Sequence, residues 1–509
     1  MSTISSNNRR IAKNTIFLYI RMLFLMLVNL YTSRVILQIL GVEDYGIYNA
    51  VGGIVLLLSF LNSALSNGSS RFITFELGKK ESSNLNMVFC TILNAHLFLS
   101  LVVVIIAETA GLWFVMNKMG ITADRYDAAI FTYHFSVLTS IITITQVPYT
   151  ATIIAHERMQ IYAYASIFEV MLKLSILYLL PIVGHDRLET YAVLLFLVQL
   201  LVMSIYRIYC MRQFKETKYR FRFDKKKFKE IASFSSWSLL GNAAHALTGQ
   251  GTNILLQMFF GPKLVAARAI SLQVNNAAIQ FVNNFKLAAN PQIVKLYAAG
   301  DTEESKRLTI NTAKYSFFLM LLLSLPIYVV AEPLLKLWLV TVPPYTLLFV
   351  QLIVVQSLFS TLDTCFYTGL YACGRVKENA LVSPFVLALQ FPVIYVAFKL
   401  GCSPGFLSYT GVVMALVLAL AVKPILLVKL ADYTWSDIRS VLIPCGKVTI
   451  VAFVPSLILA RFLSGNYWQY ALLVMIVIAL VILSVFYIGI ENRQRHEMLN
   501  LIKKKLLHS

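Results

Sequence analysis

The sequence predicts an all-α polytopic membrane protein of about fourteen spans, two six-helix bundles in tandem followed by two extra C-terminal helices. Three observations lead there. Of the 509 residues, 58% are hydrophobic and only 13% charged, with a mean hydropathy of +0.72; a soluble chain carries roughly twice that charged fraction. Apolar segments of crossing length, about 20 residues of helix for a core about 30 Å thick, fill more than half of the chain and leave no room for a large soluble domain. Landmarks around the first spans also recur in the second half.

The expected spans are 12–38, 46–66, 87–107, 128–151, 162–181, 190–210, 234–259, 264–286, 312–331, 346–369, 381–399, 406–429, 441–462 and 467–488. Arg9, Arg10 and Lys13 precede the first. That run is too long for a signal-peptide core and no small-residue cleavage site follows, so it is read as a span. It carries Asn14, Arg21, Asn29 and Thr32 at near-helical spacing, with Arg34 toward its outer end. Span five holds Lys173 one turn after Glu169, a spacing that pairs them. Pro148, Pro181, Pro326 and Pro392 bend or end their spans.

Ten cations lie between Arg207 and Lys229. They define a basic linker at 211–233 between a first bundle (1–210) and a second (234–430). Span seven carries Asn242, His245, Gly249, Asn253 and Gln257 at helical spacing; Gly249 and Gly251 mark a flexible or kinked point. Span eight places Gln273, Asn276, Gln280 and Asn283 on one stripe, with Arg268 and Asn275 on a neighbouring one. Lys314, Lys423 and Lys447 fall near the expected cytoplasmic ends of their spans and are read as snorkelling. Residues 431–509 supply the extra pair and a basic tail with Lys503, Lys504 and Lys505.

The duplication rests on matched landmarks. Leu37-Gln38-Ile39 and Gly41 close span one; Leu256-Gln257-Met258 and Gly261 close span seven. Farther on, Gly78-Lys79 and Glu81 have counterparts in Gly300-Asp301, Glu303 and Glu304. Six is even, so the two copies share one orientation and form a parallel repeat, with a pathway expected at the seam.

The net charge of +20 does not indicate a nucleic-acid partner, because its distribution follows the membrane. With the N-terminus in the cytoplasm, about 30 of the 44 Lys and Arg fall on cytoplasmic segments, about 7 on external ones and about 7 within spans, which is the positive-inside bias. An even span count returns the C-terminus to the cytoplasm. External loops are short, the longest expected at about 108–127. The six cysteines show no ligand spacing, so neither a metal nor another cofactor is expected. The five Trp residues sit near span ends, as an interfacial belt requires.

Intramembrane polar groups must face protein or water, since a charge at mid-bilayer costs about 2.5–3.5 kcal/mol or more. Any one amide serves equally as interhelical glue, but three stripes on the leading helices of both repeats suggest a shared wet cavity. Arg21, Arg34 and Arg268 are poorly placed as topological anchors, and acids within spans are mainly Glu169 and Asp363. The cavity is therefore expected to be cationic, and guanidinium forks suit phosphate oxygens; each arginine is alternatively a clamp on backbone carbonyls. His96, His134 and His245 have no sequence-local partners for acid–base or nucleophilic chemistry.

The segment Leu40-Gly41-Val42-Glu43-Asp44-Tyr45-Gly46-Ile47-Tyr48 resembles the start of the polysaccharide (O-antigen, Wzx-type) flippases of the multidrug/oligosaccharidyl-lipid/polysaccharide (MOP) exporter superfamily. The second copy fits through Phe260-Gly261-Pro262, Ala266-Ala267-Arg268, Pro291-Gln292 and Gly300-Asp301. The resemblance implies a MATE-like pair of bundles opening alternately to each side of a bacterial cytoplasmic membrane. It implies a polyprenyl-pyrophosphate-linked glycan as cargo, with membrane lipids and other polysaccharide-assembly proteins as partners. Arg21, Arg34 and Arg268 would then hold the pyrophosphate, while His245, Asn242, Asn253, Asn276 and Gln280 would meet sugar hydroxyls. Relatives couple movement to ions, for which Asp363 and Glu169 are the candidates here.

Alternatives of the same fold are a peptidoglycan-precursor (lipid II) flippase and an ion-coupled multidrug exporter, the latter disfavoured by a cationic lining. A major-facilitator transporter is disfavoured because Asn67-Gly68-Ser69-Ser70-Arg71 lacks that family's Gly-x-x-x-Asp-Arg-x-Gly-Arg-Arg pattern. A membrane-embedded glycan polymerase or ligase, the enzymatic alternative, would carry a large external catalytic loop.

Overall fold

The computed structural model describes the backbone of residues 2–77, 85–156, 158–463, 465–490 and 495. Side chains are described within these except at 2–22, 25, 64, 67, 68, 70, 71, 74, 75, 159, 160, 162, 163, 232–240, 287, 288, 291, 376, 377 and 380. The Arg21 side chain, the landmarks Gly78, Lys79 and Glu81, and the tail lysines 503–505 therefore lie outside the described residues. The fold is all-α, and the chain divides into two compact units, Met1–Ala269 and Ile270–Ser509.

The first unit contains α1 (Ser2–Leu57), α2 (Ser59–Leu77), α3 (Leu85–Ile106), α4 (Leu112–Lys118), α5 (Tyr126–Ala155), α6 (Met159–Leu179), α7 (Arg187–Gln213), α8 (Lys225–Ala246) and α9 (Thr252–Phe260). Helix α10 (Pro262–Ala298) begins in it and continues into the second. The second unit goes on with α11 (Thr302–Val329), α12 (Ala331–Trp338), α13 (Thr346–Ala372), α14 (Val376–Lys399), α15 (Phe406–Val417), α16 (Lys423–Leu430), α17 (Trp435–Phe462) and α18 (Tyr467–Ser484). Every expected span falls on helix. Among the described residues, nine helices are long and apolar enough to cross a membrane by those measures alone.

The repeat landmarks have one backbone geometry. Gly41 (φ 79°, ψ 172°) breaks α1, and Gly261 (φ 81°, ψ −178°) separates α9 from α10. A positive φ is a conformation that Gly adopts without steric cost, which is why both copies place glycine there. Beyond its break, α1 packs on α9 and on the π-turn before it.

Among the described residues, five-residue π-turns interrupt long helices at Ala107–Gly111 between α3 and α4, Leu247–Gly251 between α8 and α9 and Leu418–Val422 between α15 and α16, and another, Val485–Gly489, follows α18. The expected weak point at Gly249 and Gly251 is the second of these. At the first, the Tyr133 hydroxyl donates to the Ala107 carbonyl at 2.7 Å, and a Cβ at Gly111 would lie 2.2 Å from that hydroxyl oxygen. A π-turn loosens the α ladder, and here a neighbouring side chain satisfies the carbonyl.

The expected loop at about 108–127 differs from the structure. Helix continues through Leu112–Lys118, because Leu112, Trp113, Phe114, Val115 and Met116 extend the apolar run into the expected loop. Within the expected linker at 211–233, α7 runs to Gln213 and α8 begins at Lys225, where the Asp224 carboxylate accepts from the amides of Lys226 and Lys227. That cap satisfies two of the open donors of the first helical turn.

In the second unit, α11 and α13 form the centre of the core through Phe317, Leu321, Leu325, Leu362 and Phe366. The extra pair, α17 and α18, joins the same core with Val441, Val448, Leu473, Val477 and Val481. In the first unit, Arg125 binds Asp44 (2.7 Å) and Asp186 (2.5 Å), tying the starts of α5 and α7 to the stretch of α1 after its break. The Arg125 hydrogen bond holds the Asp186 carboxyl below the usual carboxylate range, helped by the Leu188 and Glu189 amides that it caps.

Candidate functional site

The polar residues singled out from sequence divide between glue and exposed or buried groups without one common role. On α9, Gln257 donates to the Met119 carbonyl at 2.8 Å, which is a packing contact. Asn253 donates to Gln250 Oε1 at 3.2 Å, and Gln250 faces Gly53 of α1, where a Cβ would lie 3.3 Å from that oxygen. The Asn253 Oδ1 and Asn242 Nδ2 atoms are buried and make no hydrogen bond among the described residues. His245 is exposed on α8, and Arg34 is half-buried on α1. Arg268, on α10, is only 8% exposed.

The first unit also carries a hydroxyl stripe on α5 that the sequence expectations above do not include. Ser136, Thr139, Ser140 and Thr143 line one side of a cavity of about 200 Å3 shared with Tyr48 and Asn62. Their i, i+3, i+4, i+7 spacing is the signal that marks one helical face.

In the second unit, Asn276 and Gln280 are exposed on α10, while the neighbouring stripe makes the contacts with α13. The Ser357 hydroxyl donates to Asn275, Lys286 Nζ donates to Thr364 Oγ1 at 2.9 Å, and the Thr368 hydroxyl donates to Asn290 at 3.4 Å. Asp363 lies 3.5 Å from Lys423 Nζ, which also donates to Asn379 and stands 5.2 Å from the centre of the Tyr367 ring. Three helices, α13, α14 and α16, thus converge on one ammonium group.

This corrects the snorkelling reading of Lys314 and Lys423. Both are 2% exposed. Lys423 directly follows a π-turn, and one inserted residue rotates the succeeding helical turns by about 100° relative to a regular helix. Its opposite charge in Asp363 then repays part of the desolvation cost. Lys314 stands 5.9 Å from the Tyr315 ring. The other candidate acid, Glu169, accepts from Lys173 at 2.6 Å, the pairing that the sequence spacing implies. Both candidate coupling acids therefore carry a lysine.

The interior of the second unit holds Lys286, Lys314 and Lys423. No group of His, Cys, Asp and Glu able to hold a metal occurs among the described residues.

A long all-helical chain whose helices include nine, among the described residues, long and apolar enough to cross a membrane is a multi-pass membrane protein. Its fold is that of the MOP superfamily. An inward-facing MATE multidrug resistance transporter superposes with a TM-score of 0.66 at 15% identity, over 81% of this chain and 96% of its own. The lipid II flippase MurJ in an inward closed conformation gives 0.66 at 12% identity, over 93% and 99%. A MOP transporter from Pyrococcus furiosus, described as having a binding pocket of reverse polarity, gives 0.55 at 14%, over 81% and 96%. No curated protein sequence matches the chain. Residues 11–297, more than half of the chain, match the family described as polysaccharide biosynthesis protein, and the chain belongs to that family.

Proposed function

We propose that the protein is a flippase that moves a polyprenyl-pyrophosphate-linked oligosaccharide, an O-antigen or capsular or exopolysaccharide repeat unit, across the bacterial cytoplasmic membrane by alternating access. The observation that carries this reading is the presence of buried cations within apolar helices of each unit, Arg268 in the first and Lys286 and Lys314 in the second, beside a Lys423 that Asp363 already balances. A diphosphate supplies the anionic charge such groups favour. The family membership points to a glycan, and the hydroxyl-lined α5 cavity and the amides of Asn242 and Asn253 offer hydrogen bonds to sugars. An apolar cavity of about 500 Å3 in the second unit, lined by Phe317, Leu321, Leu358 and Phe453 among others, suits an isoprenoid chain.

The proposal includes the roles given to Arg21, Arg34, Arg268, His245, Asn242, Asn253, Asn276 and Gln280, the division into bundles at 1–210 and 234–430, and cytoplasmic termini. If Asp363 or Glu169 couples transport to an ion, that ion has to compete with Lys423 or Lys173. The lipid II reading is favoured by one observation, the 93% coverage by MurJ against 81% for the MATE transporter. Purified protein in liposomes, offered fluorescent polyprenyl-pyrophosphate oligosaccharide, lipid II or a cationic dye, separates the readings. The proposal expects flipping of the first; export of the dye alone refutes it.

A further inference from the structure

The segment between α7 and α8 is fastened to α3. After a 3-10 turn at Lys215–Thr217, the chain passes from Lys218 to Asp224, both in extended conformation. Asn86 donates to the carbonyls of Glu216 (2.7 Å) and Lys218 (2.9 Å). Asn94 donates to the carbonyl of Arg222 at 3.0 Å and accepts from the Tyr219 hydroxyl at 2.9 Å. The Arg220 amide donates to Cys90 Sγ (3.4 Å) and the Asp224 amide to Thr91 Oγ1 (3.1 Å). Residues 86, 90 and 94 stand on successive turns of one helix face, so α3 holds alternate residues of this strap. Its ends are pinned as well: His156 meets Glu216 at 2.6 Å and stacks on Phe214, and Lys227 pairs with Glu76 at 3.1 Å.

With the backbone so occupied, a basic and aromatic edge faces outward. Phe221 is 89% exposed, Phe223 50% and Tyr219 48%, and they alternate with exposed Arg220 and Arg222. Exposed Lys215, Lys218, Lys225, Lys226 and Lys229 flank them. Of the nearby acids, Glu216 is committed to His156 and Asp224 to the α8 cap, leaving Glu230.

Helix length sets the depth. The candidate span that contains α3 covers 34 residues, Leu85–Lys118, about 51 Å at 1.5 Å per residue against a core of about 30 Å. About 20 Å is left for its two ends, about 10 Å each when shared equally, so Asn86 and Cys90 reach the headgroup layer and Asn94 stands at its inner edge. Helix α7, also a candidate span, ends beside it at Gln213.

We propose that this strap is a binding site for anionic phospholipid headgroups, with Arg220 and Arg222 on the phosphates and Phe221 and Phe223 seated at the acyl boundary. Aromatic rings and cations together are the chemistry of the membrane interface, and cations at this depth attract anionic lipid. A soluble polyanion would have to displace headgroups to reach the same rings, so the position selects lipid.

The test uses the full-length protein in nanodiscs of one fixed phosphatidylcholine and phosphatidylglycerol composition, with bromine carried by one lipid or the other. The readout is quenching of the emission that Phe221→Trp adds over the parent. Brominated phosphatidylglycerol is expected to quench about twofold more than brominated phosphatidylcholine at equal mole fraction, from the headgroup attraction of nearby cations. In Arg220→Gln/Arg222→Gln the preference disappears; Lys225→Gln/Lys226→Gln serves in its place if that variant is not monodisperse. Equal quenching by the two lipids in the parent background overturns the anionic preference. Absence of quenching by both puts the strap in water and overturns the site. No cargo is involved, so either outcome is independent of the transport proposal.

Discussion

Replacing Gly46 by alanine puts the glycine-dependent packing of the first unit under direct strain. Gly46 lies five residues past the Gly41 break, where α1 meets the first turn of α10. A Cβ there would sit 2.0 Å from the Pro262 carbonyl oxygen, 2.5 Å from its carbon and 2.8 Å from its Cβ. Ordinary contact begins at 3.4 Å, so the helices must separate by the difference, 1.4 Å, or lose the contact. The obstacle is backbone, fixed by a proline ring and by Gly261 at φ 81°, and cannot swing aside as a side chain would. Overpacking of this kind costs about 1–3 kcal/mol. Gly52, on the same helix, has nothing within 4 Å of its would-be Cβ. There alanine adds only helix propensity, about 0.5–1 kcal/mol of stabilisation. Thermal unfolding in one detergent, followed by intrinsic fluorescence, should place G46A well below the parent and G52A at or above it. Melting of G46A together with the parent and G52A would refute the reasoning.

Further perturbations use the same geometry. Arg125→Gln leaves Asp44 and Asp186 facing each other without their shared cation. With those groups 16–28% exposed, a cost of about 2 kcal/mol, between surface and buried ion pairs, should appear in the melting temperature. Because the folded Asp186 carboxyl is depressed, its stabilisation is complete above the unfolded value of about 3.9 and is lost as pH falls through the lower folded value. Melting curves from neutral pH down to about pH 3 should therefore fall more steeply for the parent than for R125Q. Lys423→Met strands Asp363 and should cost about 3–5 kcal/mol, while Lys423→Met with Asp363→Asn should recover most of it; a single variant as stable as the parent would deny the pair its structural part. Tyr133→Phe removes the donor to Ala107 and should cost about 1–2 kcal/mol in the same melts.

Most of the fold is legible in the sequence because apolar runs and glycine landmarks are local signals. Gly41 and Gly261 stand in similar sequence and have the same unusual backbone. The π-turns are harder to read: Gly249 and Gly251 advertise one, whereas Leu418–Val422 contains no glycine or proline. That hidden turn also bears on Lys423, which nearness to the expected end of its span marks as snorkelling, whereas the structure buries it directly after the turn. Lys286 escapes notice for another reason. It falls at the expected end of span eight, where a lysine is ordinarily an anchor, but α10 continues to Ala298 and carries it inside. The stripe of Asn276 and Gln280 is correctly periodic, but periodicity does not say which face meets protein, and the neighbouring stripe of Asn275 and Asn290 makes the contacts.

The central claim is that buried cations of this helical core recognise the diphosphate of a lipid-linked glycan, and Arg268 is the clearest place to test it. The measurement is the initial rate of flipping of fluorescent polyprenyl-pyrophosphate oligosaccharide in liposomes holding equal amounts of the parent or Arg268→Gln, each shown to be monodisperse with matched melting temperature. Loss of a charge-assisted hydrogen bond, about 1.5–3 kcal/mol, predicts a rate lower by roughly tenfold or more at subsaturating cargo. Parental flipping by the folded variant would contradict the account.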